Sequence, residues 1–160
     1  MKSLLFWTVA GVVMLGGLLL ARAVETETVS ADSSARAKLI GAWRLVALDE
    51  PGADGKINHL TDRQGMLIYT ADGHMSVQLM LPAADSDVSN DYVKEGYEAS
   101  FGSYDVDEAA HTVTHHVQGS VTRGLVGKDL PRAFSFSNDG KLIIRSTRTD
   151  EHWSVAWEHY

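Results

Sequence analysis

From Gly41 onward, hydrophobic and polar residues alternate with a period of two, the pattern of strands that bury one face. The stretch GAWRLVAL (41–48) sets Trp43, Leu45 and Ala47 on one face and Arg44, Val46 and Leu48 on the other. After a polar loop with Gly52 and Gly55, QGMLIYT (64–70) and HMSVQLM (74–80) flank Ala71-Asp72-Gly73, a hairpin signal. In the second of these, Met75, Val77 and Leu79 share a face opposite His74, Ser76, Gln78 and Met80, and Pro82 ends the strand. The alternation returns in FGSYDVD (101–107), HTVTHHVQGS (111–120), RAFSFS (132–137), KLIIRST (141–147) and HWSVAWEH (152–159). Between the third and fourth strands, Val88, Tyr92, Glu95 or Gly96, and Ala99 recur at helical spacing, with Asn90 or Asp91 as cap. That spacing predicts one short helical insertion. Eight sequential antiparallel strands with short turns close economically as an up-and-down barrel, which removes free edges and leaves room for a small ligand.

The first residues follow another rule. Lys2 precedes an apolar run of 17 residues, Leu4 to Leu20, and Ala21-Arg22-Ala23 offers the small-x-small pattern of a signal-peptidase site. Residues 1–23 are therefore expected to be a cleaved signal peptide, and the mature protein periplasmic or secreted. An uncleaved N-terminal anchor is the alternative, since the run sits at the lower edge of what spans a bilayer. After cleavage no stable membrane insertion is expected. Residues 24–37 (VETETVSADSSARA) are polar without apolar periodicity and predict a disordered leader, leaving 38–160 as a single domain.

Charge and cysteine narrow the chemistry. Setting aside Lys2 and Arg22, 12 basic residues face 21 acidic ones, a net charge of −9 that repels phosphate backbones, so no nucleic-acid partner is expected. The absence of cysteine removes disulfides, thiolate chemistry and lipid attachment. No glycine-rich phosphate loop or dinucleotide fingerprint is present, and no cofactor is expected. Ser100 and Ser120 lie outside any G-x-S-x-G elbow. Asp105, Asp107 and Glu108 supply too few oxygens for calcium and are expected to be solvated at a turn.

Three of the seven histidines, His111, His115 and His116, fall within one strand. As metal ligands they fail on geometry. On a strand His111 and His115 stand ~13 Å apart, and His115 and His116 point to opposite faces. As proton carriers the last two are the catalytic candidates, and only one of them can face the barrel interior. His115 shares its face with Val113 and Val117, which predicts His115 inside, with its pKa lowered by burial, and His116 outside, titrating near the ordinary value. An inward His115 either ties to a neighbouring strand or meets a ligand. His111 is expected at a turn, in solvent. Trp43 on the first strand and Trp153 and Trp157 on the last meet if the barrel closes, and Arg44, Arg145 or Arg148 could cover them. Met66, Met75 and Met80, with Tyr69, are candidates for an adaptable ligand wall.

The segments LIGAWRLVAL, GMLIYTADGHMSVQLM, FGSYDVDEAAHTVTHHVQGS and the final WEHY resemble the bacterial and fungal lipocalin-like domain family across residues 39 to 160. LIYTADGHMSVQLM is the longest contiguous piece. The family's usual G-x-x-Q-x-R segment is altered here to GKDLPR (127–132), which replaces its polar position with Leu130 and keeps Arg132. The resemblance implies a lipocalin-like barrel. Two functions are then open. One is an exported protein that binds a small, largely apolar molecule in the barrel, with Tyr69, Met75, Gln78, His115 and Arg132 as the ligand-binding residues. The alternative is a cofactor-independent acid–base enzyme of isomerase, cyclase or dehydratase type that uses His115 or His116.

Overall fold

The computed structural model describes residues 34–160, so the expected signal peptide and most of the expected leader lie outside the described residues. A short helix α1 (Ala35–Leu39) comes first, its N-terminus capped by Ser34, whose Oγ accepts the Ala37 amide at 3.1 Å. The last residues of the expected leader, Ala35 to Ala37, thus belong to a helix. Nine strands follow: β1 (Gly41–Pro51), β2 (Ile57–Leu60), β3 (Gln64–Tyr69), β4 (His74–Met80), β5 (Tyr97–Asp107), β6 (Thr112–Ser120), β7 (Asp129–Phe136), β8 (Leu142–Ser146) and β9 (Ser154–His159).

Each of β3 to β9 pairs antiparallel with the next, and β1 pairs with β3 on one side and β9 on the other, so the sheet closes. The ninth strand does not add a stave. β2 pairs only with Leu48–Pro51 of β1, beyond the Gly41–Arg44 segment that β3 takes. β2 and β3 together form one interrupted stave, and the barrel has eight. The expected up-and-down barrel is the structure.

The helical insertion is shorter, and lies earlier, than expected. Between β4 and β5 there is only a 3-10 turn, Ala83–Asp85, followed by an irregular loop to Gly96. Asn90 caps no helix; its side-chain oxygen accepts the amides of Tyr92 and Val93, each at 2.8 Å, and folds the loop on itself. Gly96 at φ 76° then turns the chain into β5. β5 begins four residues before the expected strand, and this shift matters for the site.

Two bulges set which residues face inward. Leu45 pairs with Trp157 and Ala47 with Ala156, which leaves Val46 as the extra residue in β1. Trp43 faces the core before the bulge, and Leu48 and Glu50 line the interior after it. Simple alternation had put Leu48 outside. In β6, Phe101 pairs with Gly119 and Gly102 with Val117, which leaves Gln118 extra. Backbone approach requires Gly102, whereas at Gly119 only the outer end of the exposed Phe101 ring stands in the way. A Cβ on Gly102 would lie 2.0 Å from the His116 carbonyl oxygen, and one on Gly119 2.4 Å from the Phe101 ring.

The core fills one end of the barrel. Leu39 of α1, Trp43, Tyr69, Tyr104, Val113 and Leu142 are all almost fully buried. α1 stoppers this end, where Trp43 Nε1–H donates to the Leu39 carbonyl at 2.8 Å. Among the described residues no helix is long and apolar enough to cross a membrane.

Candidate functional site

Above the core the barrel is hollow. The space is about 390 Å³, within the range of small-molecule pockets. Leu67, Val77, Ile144, Val155 and Trp157 belong both to the core and to the cavity lining, so they mark its floor. The mouth is edged by the loop between β4 and β5, through Asp85, Val88, Tyr92 and Val93, and by Glu50 and Arg63.

Tyr69 lies beneath the floor on β3, and His115 on β6 lines the cavity above it. His115 is 7 % exposed, and its Nε2 lies 2.6 Å from Tyr69 Oη. Burial, with Arg132 and His116 adding to it, pushes the imidazole down to about 3, so the ring is neutral at neutral pH. Burial foremost, with Tyr104 adding, holds the Tyr69 hydroxyl above its ordinary value, so it keeps its proton. If the imidazole donated, the tyrosine hydrogen would be stranded in the core. The favoured arrangement has Tyr69 O–H donating to Nε2, which leaves Nδ1–H of His115 for the cavity.

His116 faces outward, as the period of two requires. Its two nitrogens meet Asp129 Oδ1 at 2.7 Å and Asp105 Oδ2 at 3.0 Å. These carboxylates raise its pKa, where an ordinary solvated value was expected. It does not reach the cavity and cannot serve chemistry there. His111 is exposed at the turn, with φ 51°. Among the described residues no group of three or more His, Asp or Glu side chains is placed to hold a metal ion. The turn carboxylates are engaged with the protein instead: Asp107 accepts the Ala110 amide at 2.9 Å and Glu108 the Arg36 amide at 3.1 Å.

Arg132 lies on β7 and is 6 % exposed. Its guanidinium carbon stands 5.1 Å from the Tyr92 ring centre and 4.9 Å from that of Trp153. The two rings meet edge-on at 6.4 Å. Glu151 holds this bracket: Oε1 accepts Tyr92 Oη at 2.8 Å and Oε2 accepts Trp153 Nε1 at 3.2 Å. Burial raises the Glu151 carboxyl, but hydrogen bonds from Ser146, Tyr92 and Trp153 outweigh it and keep the group below its ordinary value. The cation over the tryptophan is thus Arg132. Arg44, Arg145 and Arg148, the expected ones, pair outside with Glu158, Ser135 and Asp150.

Sequence reasoning missed Glu98 altogether and weighed Ser100 only as a nucleophile, not as a cavity residue. Both sit on β5 and line the cavity, at two-residue steps back from the buried Tyr104 through Gly102. Counting back along that alternation would have found them, had the segment not been read as helix. Burial pushes Glu98 up to about 7 against the opposing pull of Arg132, and its carboxyl has no hydrogen-bond or ion-pair partner among the described residues.

The expected ligand residues separate accordingly. His115 and Arg132 line the cavity, and Tyr69 supports it from below through His115. Gln78 does not: β4 presents it outward, where its amide donates to Ser76 Oγ at 2.7 Å. Met75 points inward but is packed in the closed core. Met66 and Met80 share the outward face with Gln78, so the methionine wall is not formed.

An eight-staved antiparallel barrel, stoppered at one end and hollow at the other, belongs to the class of barrels that can enclose one small molecule. The family model described as a lipocalin-like domain matches residues 40–159, and the chain belongs to that family. No curated protein matches it.

Proposed function

We propose that this chain is an exported binding protein that holds one small, largely apolar molecule inside the barrel. The observation that carries this is the cavity itself. It is of ligand size and floored by aliphatic and aromatic side chains, with one polar group of Arg132, His115, Ser100 and Glu98 and a second toward the mouth, Glu50, Arg63, Asp85 and Asn90. Export is supported by the Ala21-Arg22-Ala23 junction after the apolar run. Acid–base catalysis by a histidine finds no support in this geometry. His115 is kept neutral and tied to Tyr69, and His116 is outside.

Native mass spectrometry of protein purified from its own periplasm or medium tests both parts. The expected result is a chain beginning at Val24 or within a few residues of it, carrying one small molecule that is released on denaturation. A membrane-bound chain beginning at Met1 would overturn export. Protein that neither carries a small molecule nor takes one up from an apolar library would overturn binding.

A further inference from the structure

Two arginines line the cavity, and they are treated in opposite ways. Arg63, at the mouth, is surrounded by carboxylates: Asp62 at 2.7 Å, Glu50 at 3.6 Å and Asp85 at 3.8 Å. Arg132 is buried and has no carboxylate within ion-pair distance among the described residues. Its one hydrogen bond is a long one, Nη1 to the Pro131 carbonyl at 3.4 Å. A buried guanidinium without a counter-ion is costly, and stacking on two rings offsets only part of that cost. Beyond that bond and the nearby Tyr92 hydroxyl, no carboxylate or carbonyl among the described residues takes its N–H donors, which leaves them open to a partner in the cavity.

From this we infer that the bound molecule is an amphipathic monocarboxylic acid. Its carboxylate sits against Arg132 and the Nδ1–H of His115, and its apolar body lies on the floor of Leu67, Val77, Ile144 and Trp157. The inference rests on the binding function proposed above and adds the head group. A carboxylate matches the fork of a guanidinium in a way that an alcohol or amine does not.

Glu98 completes the site as a proton acceptor. With an anion beside it, its own ionised form is disfavoured, so binding is accompanied by proton uptake on Glu98, which then donates to the ligand. The other titratable and charged groups lining the same space are Glu50, Arg63, Asp85, Tyr92, His115 and Arg132. Arg63 is matched by the two mouth carboxylates and Asp62, and His115 is neutral, which leaves Arg132 and Glu98 to respond to the ligand's charge.

Decanoate, decanol and decylamine share a tail and differ in the head, and quenching of Trp153 and Trp157 reports their binding. Decanoate should bind at least about tenfold more tightly than decanol, and decylamine most weakly. In Arg132→Met decanoate should fall to the decanol level while decanol is held as before, which also shows that the barrel still stands. Arg132→Lys should recover part of the preference. Calorimetry near pH 7.5 in buffers of different ionisation enthalpy should show uptake of a fraction of a proton per decanoate, absent in Glu98→Gln. Equal binding of decanoate and decanol by the native protein, or a preference that survives Arg132→Met, would overturn the carboxylate inference and leave the apolar-ligand function standing. Absence of proton uptake would overturn the role of Glu98 alone. Failure of all three probes to bind would overturn both the inference and the function on which it rests.

Discussion

Two residues one position apart on β6 live in opposite electrostatic worlds. Proton NMR should show the His116 ring titrating above the ordinary value, because two carboxylates favour its cation. His115 should remain neutral down to about pH 3. A His115 that titrates near 6.5 would mean water reaches the floor. Buried His115 and half-buried Glu98, both desolvated at the cavity, also shape stability. His115 is depressed in the folded state, so its contribution is complete above its ordinary ~6.5 and is lost as pH falls toward 3. Glu98 is raised, so its contribution is complete below 4.5 and is lost as pH rises to about 7. Between pH 4.5 and 6.5 the two oppose each other. Relative to the parent, the urea midpoint of Glu98→Gln should therefore climb with pH across that window, and that of His115→Asn should fall. Identical pH profiles for the two variants would show that neither group is desolvated as described.

Strands carry a parity, and a single extra residue reverses it. Most of the barrel was legible because apolar and polar residues alternate in β4, β6 and β9 and because Asp-Gly turns mark hairpins. Leu48 was placed on the wrong face because the bulge at Val46 arises from pairing with a neighbour, which a lone strand does not show. Glu98 was lost for a different reason: Val88, Tyr92 and Ala99 fall at helical spacing by accident of a folded loop. Gly102 tests the bulge at Gln118 directly. Gly102→Ala places a methyl against the His116 carbonyl, a backbone atom that has nowhere to move, and should cost ~1–3 kcal/mol or more in urea titration. A change within about 0.5 kcal/mol would mean the register near Gln118 differs from the one described.

At the scale of the molecule, the barrel is a solid lower half that supports a hollow upper half. Trp43 joins α1, β1 and β9, with its indole beside His159 and its N–H on the Leu39 carbonyl. Trp43→Ala should destabilise by ~3–5 kcal/mol, and a loss under ~1 kcal/mol would separate the seam from the core. The three tryptophans all reach one core but are spread along it: Trp43 and Trp157 belong to it, and Trp153 packs against it beside Arg132. That spread was illegible because it depends on the tilt of the staves, which no single strand records.

The floor has one more consequence. Its side chains are shared with a packed core that resists deformation. Arg132, held by its aromatic bracket against the mouth loop, is equally fixed. A guest of the kind inferred above, pinned by its head at Arg132 and stopped at the floor, would be measured by the gap between them. Across a series of straight-chain acids, affinity should rise with each methylene and then drop abruptly at one length, a ruler's response. Opening the floor with Leu67→Ala should move that break to longer chains.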